Sequence, residues 1–187
     1  MKNNRQKHIS IETVVAIGIG AAIVFMMKRW LSIPSGFPNT NIDTSYGFLG
    51  FFAILFGPVA GFFSGFLGHA LNDFTQFGSP WWTWVFTTGF IGLMIGLLKN
   101  KLNPRNGEFG LKRILLFNVY QVIINIIGWF LIAPTGDILI YSEPANKVYL
   151  QGIISALSNS ISTGVIGTIL LVAYAATKVK KNSLKKE

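Results

Sequence analysis

The residues best suited to chemistry in this chain form three stripes of amides, hydroxyls and a few charges. The first is His69, Asn72, Asp73 and Gln76, the second Gln121, Asn125 and Trp129, and the third Gln151, Ser155 and Asn159. Spacings of three and four put each stripe on one helical face. Such a set suits a neutral, hydrogen-bonding ring compound, with Trp82, Trp84, Trp129 and Tyr120 available for stacking. The same amides could instead bond helices to one another. Catalysis has less support. His69 and Asp73 at i, i+4 could form an acid–base or metal pair, but no H-E-x-x-H, no third ligand at recognisable spacing and no G-x-S-x-G elbow accompanies them. Neither a metal nor a cofactor is therefore expected. There is no G-x-x-x-x-G-K-[ST] either, so any uphill movement of solute draws its energy from a partner or an ion gradient.

The first stripe ends the stretch Phe56 to Phe74. Gly57-Pro58 opens it, and glycines recur at 57, 61, 65 and 68. In a membrane these glycines let neighbouring helices approach closely, and the polar tip then needs a partner helix, water or a ligand. A membrane is the expected setting. Of 187 residues 51% are hydrophobic and 12% charged, with 16 Phe, and the apolar residues come in unbroken blocks rather than in a stripe. The formal charge of +9 sits in short runs between and beyond those blocks, as in loops beside anionic lipid. No basic face interleaved with aromatics suggests nucleic acid. With no cysteine, disulfides and thiolate metal sites are excluded.

Taken in order, residues 1–9 form a basic N-terminus. Ser10 to Met27 is a first span, not a cleaved signal, since no clear A-x-A site follows it. Within it Ala16/Gly20 and Gly18/Ala22 are small-xxx-small pairs that flatten one face for another helix. Lys28 to Ser45 reads as a long polar loop, and Gly47 to Phe56 as a short helix that turns at Gly57-Pro58. Further spans follow at Pro58 to Phe74, Trp81 to Leu98, Ile114 to Ala133 and Leu150 to Thr177. A basic loop, Lys99 to Arg113, and a second long polar loop, Pro134 to Tyr149, separate them, and a basic tail covers 178–187. The expectation is an all-α integral membrane protein of one domain: a six-transmembrane-helix bundle over 10–177 with a short second helix. With both termini cytoplasmic, all basic residues except Lys28, Arg29 and Lys147 fall inside, as the positive-inside rule requires. The polar loops and the stripe ends then face outward.

Six segments with both ends inside, a small-residue face on the first helix, the F-G-P-x-x-G turn and the G-x-x-G-H-A-x-x-D tip together resemble the substrate-binding S component of energy-coupling factor (ECF) vitamin transporters. The likeness runs from Ser10 to Thr177 and is strongest to the riboflavin-type subgroup with members assigned to hydroxymethylpyrimidine or pyridoxine. It implies a cell-membrane, multi-pass subunit that captures a vitamin outside and docks on a transmembrane T component driven by two ABC-type ATPases. The transported vitamin is then the ligand, and ATP is used by the partners. By position, the family's A-x-x-x-A docking motif falls on Ala16 and Gly20 or on Gly18 and Ala22. The resemblance places the binding site at the loop around Asn39, Asn41 and Asp43, at His69, Asn72 and Asp73, and at the outer ends of the last three helices, which carry Trp82, Trp84, Gln121, Asn125, Trp129 and Asn159. Hydroxymethylpyrimidine and pyridoxine rank ahead of riboflavin. The alternatives are a self-contained secondary transporter, which calls for inverted repeats or a midplane charge, and a small membrane enzyme using His69 and Asp73.

Overall fold

The computed structural model describes residues 10–37 and 40–178. The first helix, α1 (Ile11–Trp30), starts where Ser10 accepts a hydrogen bond from the Thr13 N–H. A two-stranded antiparallel hairpin follows, β1 (Ile33–Phe37) and β2 (Thr40–Ile42). Next come α2 (Ser45–Phe56), α3 (Pro58–Phe77), α4 (Trp82–Gly96) and a short α5 (Lys99–Leu102). Two long helices complete the bundle, α6 (Leu111–Tyr141) and α7 (Ala145–Ala176). Among the described residues, four helical stretches are long and apolar enough to cross a membrane: α1, the run Trp82–Asn106, α6 and α7. The polar tip of α3 keeps that 20-residue helix out of the set, and α2 is short.

Glycine contacts set the packing. α3 lies between α1 and α4, and Gly61 and Gly92 touch backbone to backbone, so that a Cβ on either would overlap the other's carbonyl. Gly57 turns the chain from α2 into α3 at φ 98°, a conformation open to glycine, and Pro58 then starts α3 at its first position. A core of Leu49, Ile54, Ile91, Ile95, Phe117 and Leu171 fills the centre, while Val14, Phe63, Phe86, Val119 and Ile169 face outward, as lipid requires.

Three expectations change. The polar loop placed at Pro134 to Tyr149 is mostly helix, because α6 runs on through Pro134. A π-turn over Ile127–Ile132 precedes the proline, and the Ala133 N–H bonds Gly128 O five residues back. This widened turn accommodates a residue that lacks an N–H. At 1.5 Å per residue, the 31 residues of α6 reach about 46 Å, well beyond a bilayer core of about 30 Å. Secondly, the loop placed at Lys28 to Ser45 holds the last turn of α1 and the hairpin, so the fold carries a small β element. Thirdly, Ala16 and Gly20 are buried. Ala16 packs with Phe52 and Ala60, and Gly20 fits against Ser64 and Phe52. That register of the small-residue motif is internal packing and not an outer face. Gly18 and Ala22 are exposed.

Candidate functional site

The first and third polar stripes, and Trp129 at the end of the second, meet at one end of the bundle. The opposite end carries basic residues closing the turn after α2, where Lys99 Nζ donates to Phe56 O at 3.2 Å and Arg105 Nη2 to Leu55 O at 3.0 Å.

An aromatic wall comes from α2, α4 and the π-turn of α6. Trp84 stacks on Trp129 with centroids 5.4 Å apart and planes 28° from parallel, and Tyr46 meets Trp129 edge-on at 5.4 Å. Trp129 is held from behind. Its Nε1 donates to Asn125 Oδ1 at 3.1 Å, Asn125 Nδ2 donates to Gln121 Oε1 at 3.0 Å, and Gln121 Nε2 donates to Ser160 O at 3.0 Å. The second stripe is therefore a buried chain that orients one indole.

The polar wall comes from α3. Asp73 Oδ1 lies 3.4 Å from His69 Nε2, and Asp73 Oδ2 accepts from the Trp81 N–H at 3.1 Å. Thr88 Oγ1 lies 2.6 Å from His69 Nδ1 and 2.8 Å from the Tyr46 hydroxyl. Because a carboxylate only accepts, a neutral His69 carries its proton on Nε2. Thr88 accepts from Tyr46, and its single proton is shared between Nδ1 and the Trp84 carbonyl, 3.1 Å away. Hydrogen bonds thus link Tyr46, Thr88 and His69, and the 3.4 Å contact of His69 with Asp73 continues the line.

The hairpin forms a third side. Lys28, in the last turn of α1, donates to Asp43 just after β2, and both side chains are 8% exposed. Lys28 Nζ also sits 5.0 Å from the Tyr46 ring centroid. Asp43 Oδ1 accepts from the Ser45 N–H at 2.8 Å. Burial alone would raise the Asp43 pKa, but the Lys28 ammonium and the Ser45 N–H outweigh it and hold the carboxyl below its ordinary value.

Asp137, buried on the part of α6 beyond Pro134, gathers the start of α4. It accepts from Trp81 Nε1 at 2.9 Å, from Trp84 Nε1 at 2.7 Å and from the Thr83 hydroxyl. Trp84 is fixed from both sides, by this carboxylate and by Trp129.

These walls line a half-open inner chamber of about 120 Å³ and a half-open outer one of about 330 Å³, which share His69, Asp73, Phe77 and Trp84. Asn41, Asp43, Asn72, Trp129, Ser155 and Asn159 also line the inner chamber. Glu143 and Lys147, paired at 2.7 Å, stand at the outer one with Gln151. Asn72 Oδ1 and Asn159 Oδ1 are buried without a hydrogen-bond partner.

Of the residues anticipated for binding, Asn41, Asp43, His69, Asn72, Asp73, Trp84, Trp129 and Asn159 meet at the inner chamber. Gln121 and Asn125 stand behind Trp129 and line neither chamber. Trp82 is a correction. Two positions from Trp84, it falls on the far side of α4, half exposed and stacked on Phe66 at 6.0 Å. Asn39 lies outside the described residues. Sequence reasoning missed Lys28, Tyr46, Thr88 and Asp137. The available signals were a lysine ending an apolar helix, a tyrosine three residues after Asp43, and a lone acid beyond Pro134. Among the described residues, no cluster of three or more His, Asp or Glu side chains could hold a metal ion.

A family model described as ECF-type riboflavin transporter, S component, matches residues 8–176. Curated relatives extend over nearly the whole chain. A UPF0397 protein of Lacticaseibacillus casei (strain BL23) is 68% identical over 97% of this chain and 98% of its own length. One from Lactiplantibacillus plantarum is 55% identical over 98% of both chains. One from Staphylococcus aureus (strain MSSA476) is 57% identical over 98% of this chain and all of its own.

Proposed function

The chain belongs to the ECF-type riboflavin transporter S component family, which makes it a component of a transporter and not an enzyme, and on that premise we propose that it captures a small heteroaromatic vitamin or precursor in the chamber between its aromatic and polar walls. The observation that carries this reading is the stacked Trp84 and Trp129 pair, fixed by Asp137 and Asn125, lining one chamber together with the amides of Asn72 and Asn159. Rigid aromatic faces bind flat rings, and a few placed polar groups orient them. A single ring can be held within the inner chamber, whereas a flavin would have to extend into the outer one, and hydroxymethylpyrimidine and pyridoxine are ranked ahead of riboflavin.

Family membership implies association with a T component and ATPases. The charge bias turns the chamber outward, with both termini inside. Delivery follows by docking through the face of α1 that carries Gly18 and Ala22. Both residues are exposed, and a Cβ at Gly18 would have no neighbour within 4 Å. The test is native mass spectrometry of the chain purified in detergent from its own cells. A vitamin-sized bound mass and an assembly with one T component and two ATPases are expected. A chain that carries neither, and that transports solute alone in liposomes, would overturn the proposal.

A further inference from the structure

The charges around the two chambers are out of balance. Of the 7 acidic residues in the chain, Asp43, Asp73, Asp137 and Glu143 line them, whereas of its 16 lysines and arginines only Lys28 and Lys147 do so among the described residues. Arg29 is exposed and lines neither. In a chain of net charge +9, the chambers therefore hold two negative charges in excess with His69 neutral, and still one with His69 protonated.

Both ammonium groups are already paired. Lys28 donates to Asp43, and Lys147 meets Glu143 at 2.7 Å. Asp73 and Asp137 remain, 4% and 2% exposed, and among the described residues neither pairs with a lysine or arginine. Asp73 accepts from the Asn72 amide and the Trp81 N–H, and Asp137 from two indoles and the Thr83 hydroxyl. Neutral donors satisfy the oxygens but leave the charge, and buried charge without a counter-charge is costly.

The lining residues locate the missing positive charge. Asp73, Phe77 and Trp84 belong to both chambers, so their junction brings an uncompensated carboxylate together with two aromatic side chains. Asp137 stands one hydrogen bond behind, accepting from Trp84 Nε1 at 2.7 Å. Aromatic rings attract cations, and a cleft lined by one sign of charge concentrates counter-ions. Tyr46 already holds an ammonium in this way, with Lys28 Nζ 5.0 Å from its centroid. The amide stripes taken alone suit a neutral ring, but the carboxylates gathered by the fold shift that balance.

We propose, resting on the S-component reading above, that the cargo is a cation whose positive charge lodges where the chambers meet, beside Asp73, Trp84 and Phe77. For a ring that ionises, the bound form is then the one protonated on the ring nitrogen. Asp73 is the residue that sets this preference for charge.

The test titrates the full-length purified chain by calorimetry at neutral pH with two probes of one shape. One is an N-methylpyridinium ring carrying a hydroxymethyl group, and the other is its uncharged isostere, in which carbon replaces the ring nitrogen. The cation is expected to bind at least about tenfold more tightly. In Asp73→Asn, which keeps the shape and removes the charge, that ratio should fall to about twofold or less. Uptake of the neutral probe by detergent is the same for both chains and cancels in this comparison. Phe77→Leu, at a residue 64% exposed, repeats the measurement should Asp73→Asn not fold, and should narrow the ratio about threefold.

The inference is overturned if the neutral probe binds as tightly as the cation, if the cation fails to bind at millimolar concentration, or if the ratio survives in every variant that folds. In each case a T component and ATPases that still co-purify leave the S-component reading in place. Loss of that assembly as well overturns the two readings together.

Discussion

Replacing Asp137 with leucine should loosen the binding wall and the fold together. The carboxylate accepts from Trp84 Nε1, Trp81 Nε1 and the Thr83 hydroxyl. Trp81 is 41% exposed and can turn to water, whereas Thr83 is 8% exposed and Trp84 is wedged against Trp129. Leucine therefore strands two inner donors at about 1–3 kcal/mol each, a loss of about 2–6 kcal/mol. For a chain of this size, that lowers Tm by on the order of 10 °C. Trp84 also loses one of its two anchors. Aromatic pairing is worth about 0.5–1.5 kcal/mol, so a stacked ligand should bind about 2–10-fold more weakly. Asp137→Asn keeps one acceptor oxygen but sets its NH2 against the donor on the other side, Trp84 Nε1 or the Trp81 and Thr83 pair, and should recover only part of both losses. The assay is thermal unfolding in detergent, read beside affinity for whichever heteroaromatic probe binds the wild type. A Tm within about 2 °C of wild type for Asp137→Leu, with unchanged affinity, would refute the clamp.

Breaking the buried Lys28–Asp43 pair by Lys28→Met should cost about 3–5 kcal/mol, because it leaves a buried carboxylate alone. The double change Lys28→Met with Asp43→Leu should restore much of the loss. A double variant no more stable than the single one, by thermal unfolding, would argue against this pair as the foot of the hairpin. On α1, Gly18→Trp or Ala22→Trp should abolish vitamin uptake by cells while leaving the affinity of the purified chain within about twofold of wild type. Ala16→Trp or Gly20→Trp should lower folding yield and binding together, since these side chains would enter the contact with α2 and α3; the reverse pattern would exchange the two registers. The pH dependence follows from Asp43. Its folded pKa is depressed, so the stability from its pairing is complete above the unfolded value of about 3.9 and is lost only as pH falls through the lower folded value. Affinity measured from pH 5 to 8 should show no step from this group, and one that vanished in Asp43→Asn would contradict the assignment.

Helical periodicity is a local property, and the sequence by itself determined what depends on it: the apolar character of α1, α4, α6 and α7, the turn at Gly57-Pro58, and the facing of His69, Asn72 and Asp73 on one side of α3. Family membership was legible for the same reason, since its motifs lie within short segments. The tertiary structure decided how those faces meet. Spacing alone could not distinguish Trp82 from Trp84, because only the position of α6 shows which side of α4 is the inner one. Nor could it choose between Ala16/Gly20 and Gly18/Ala22, two equally small pairs on different faces of α1. Pro134 reads as a helix end by every local rule, and the π-turn that carries α6 past it also bends Trp129 into the wall. Lys28 with Asp43, Tyr46 with Thr88, and Asp137 with Trp84 are 15, 42 and 53 residues apart. Pairings at that separation follow from how the helices pack, and packing depends on glycine contacts such as Gly61 against Gly92 that form only when the whole bundle is assembled.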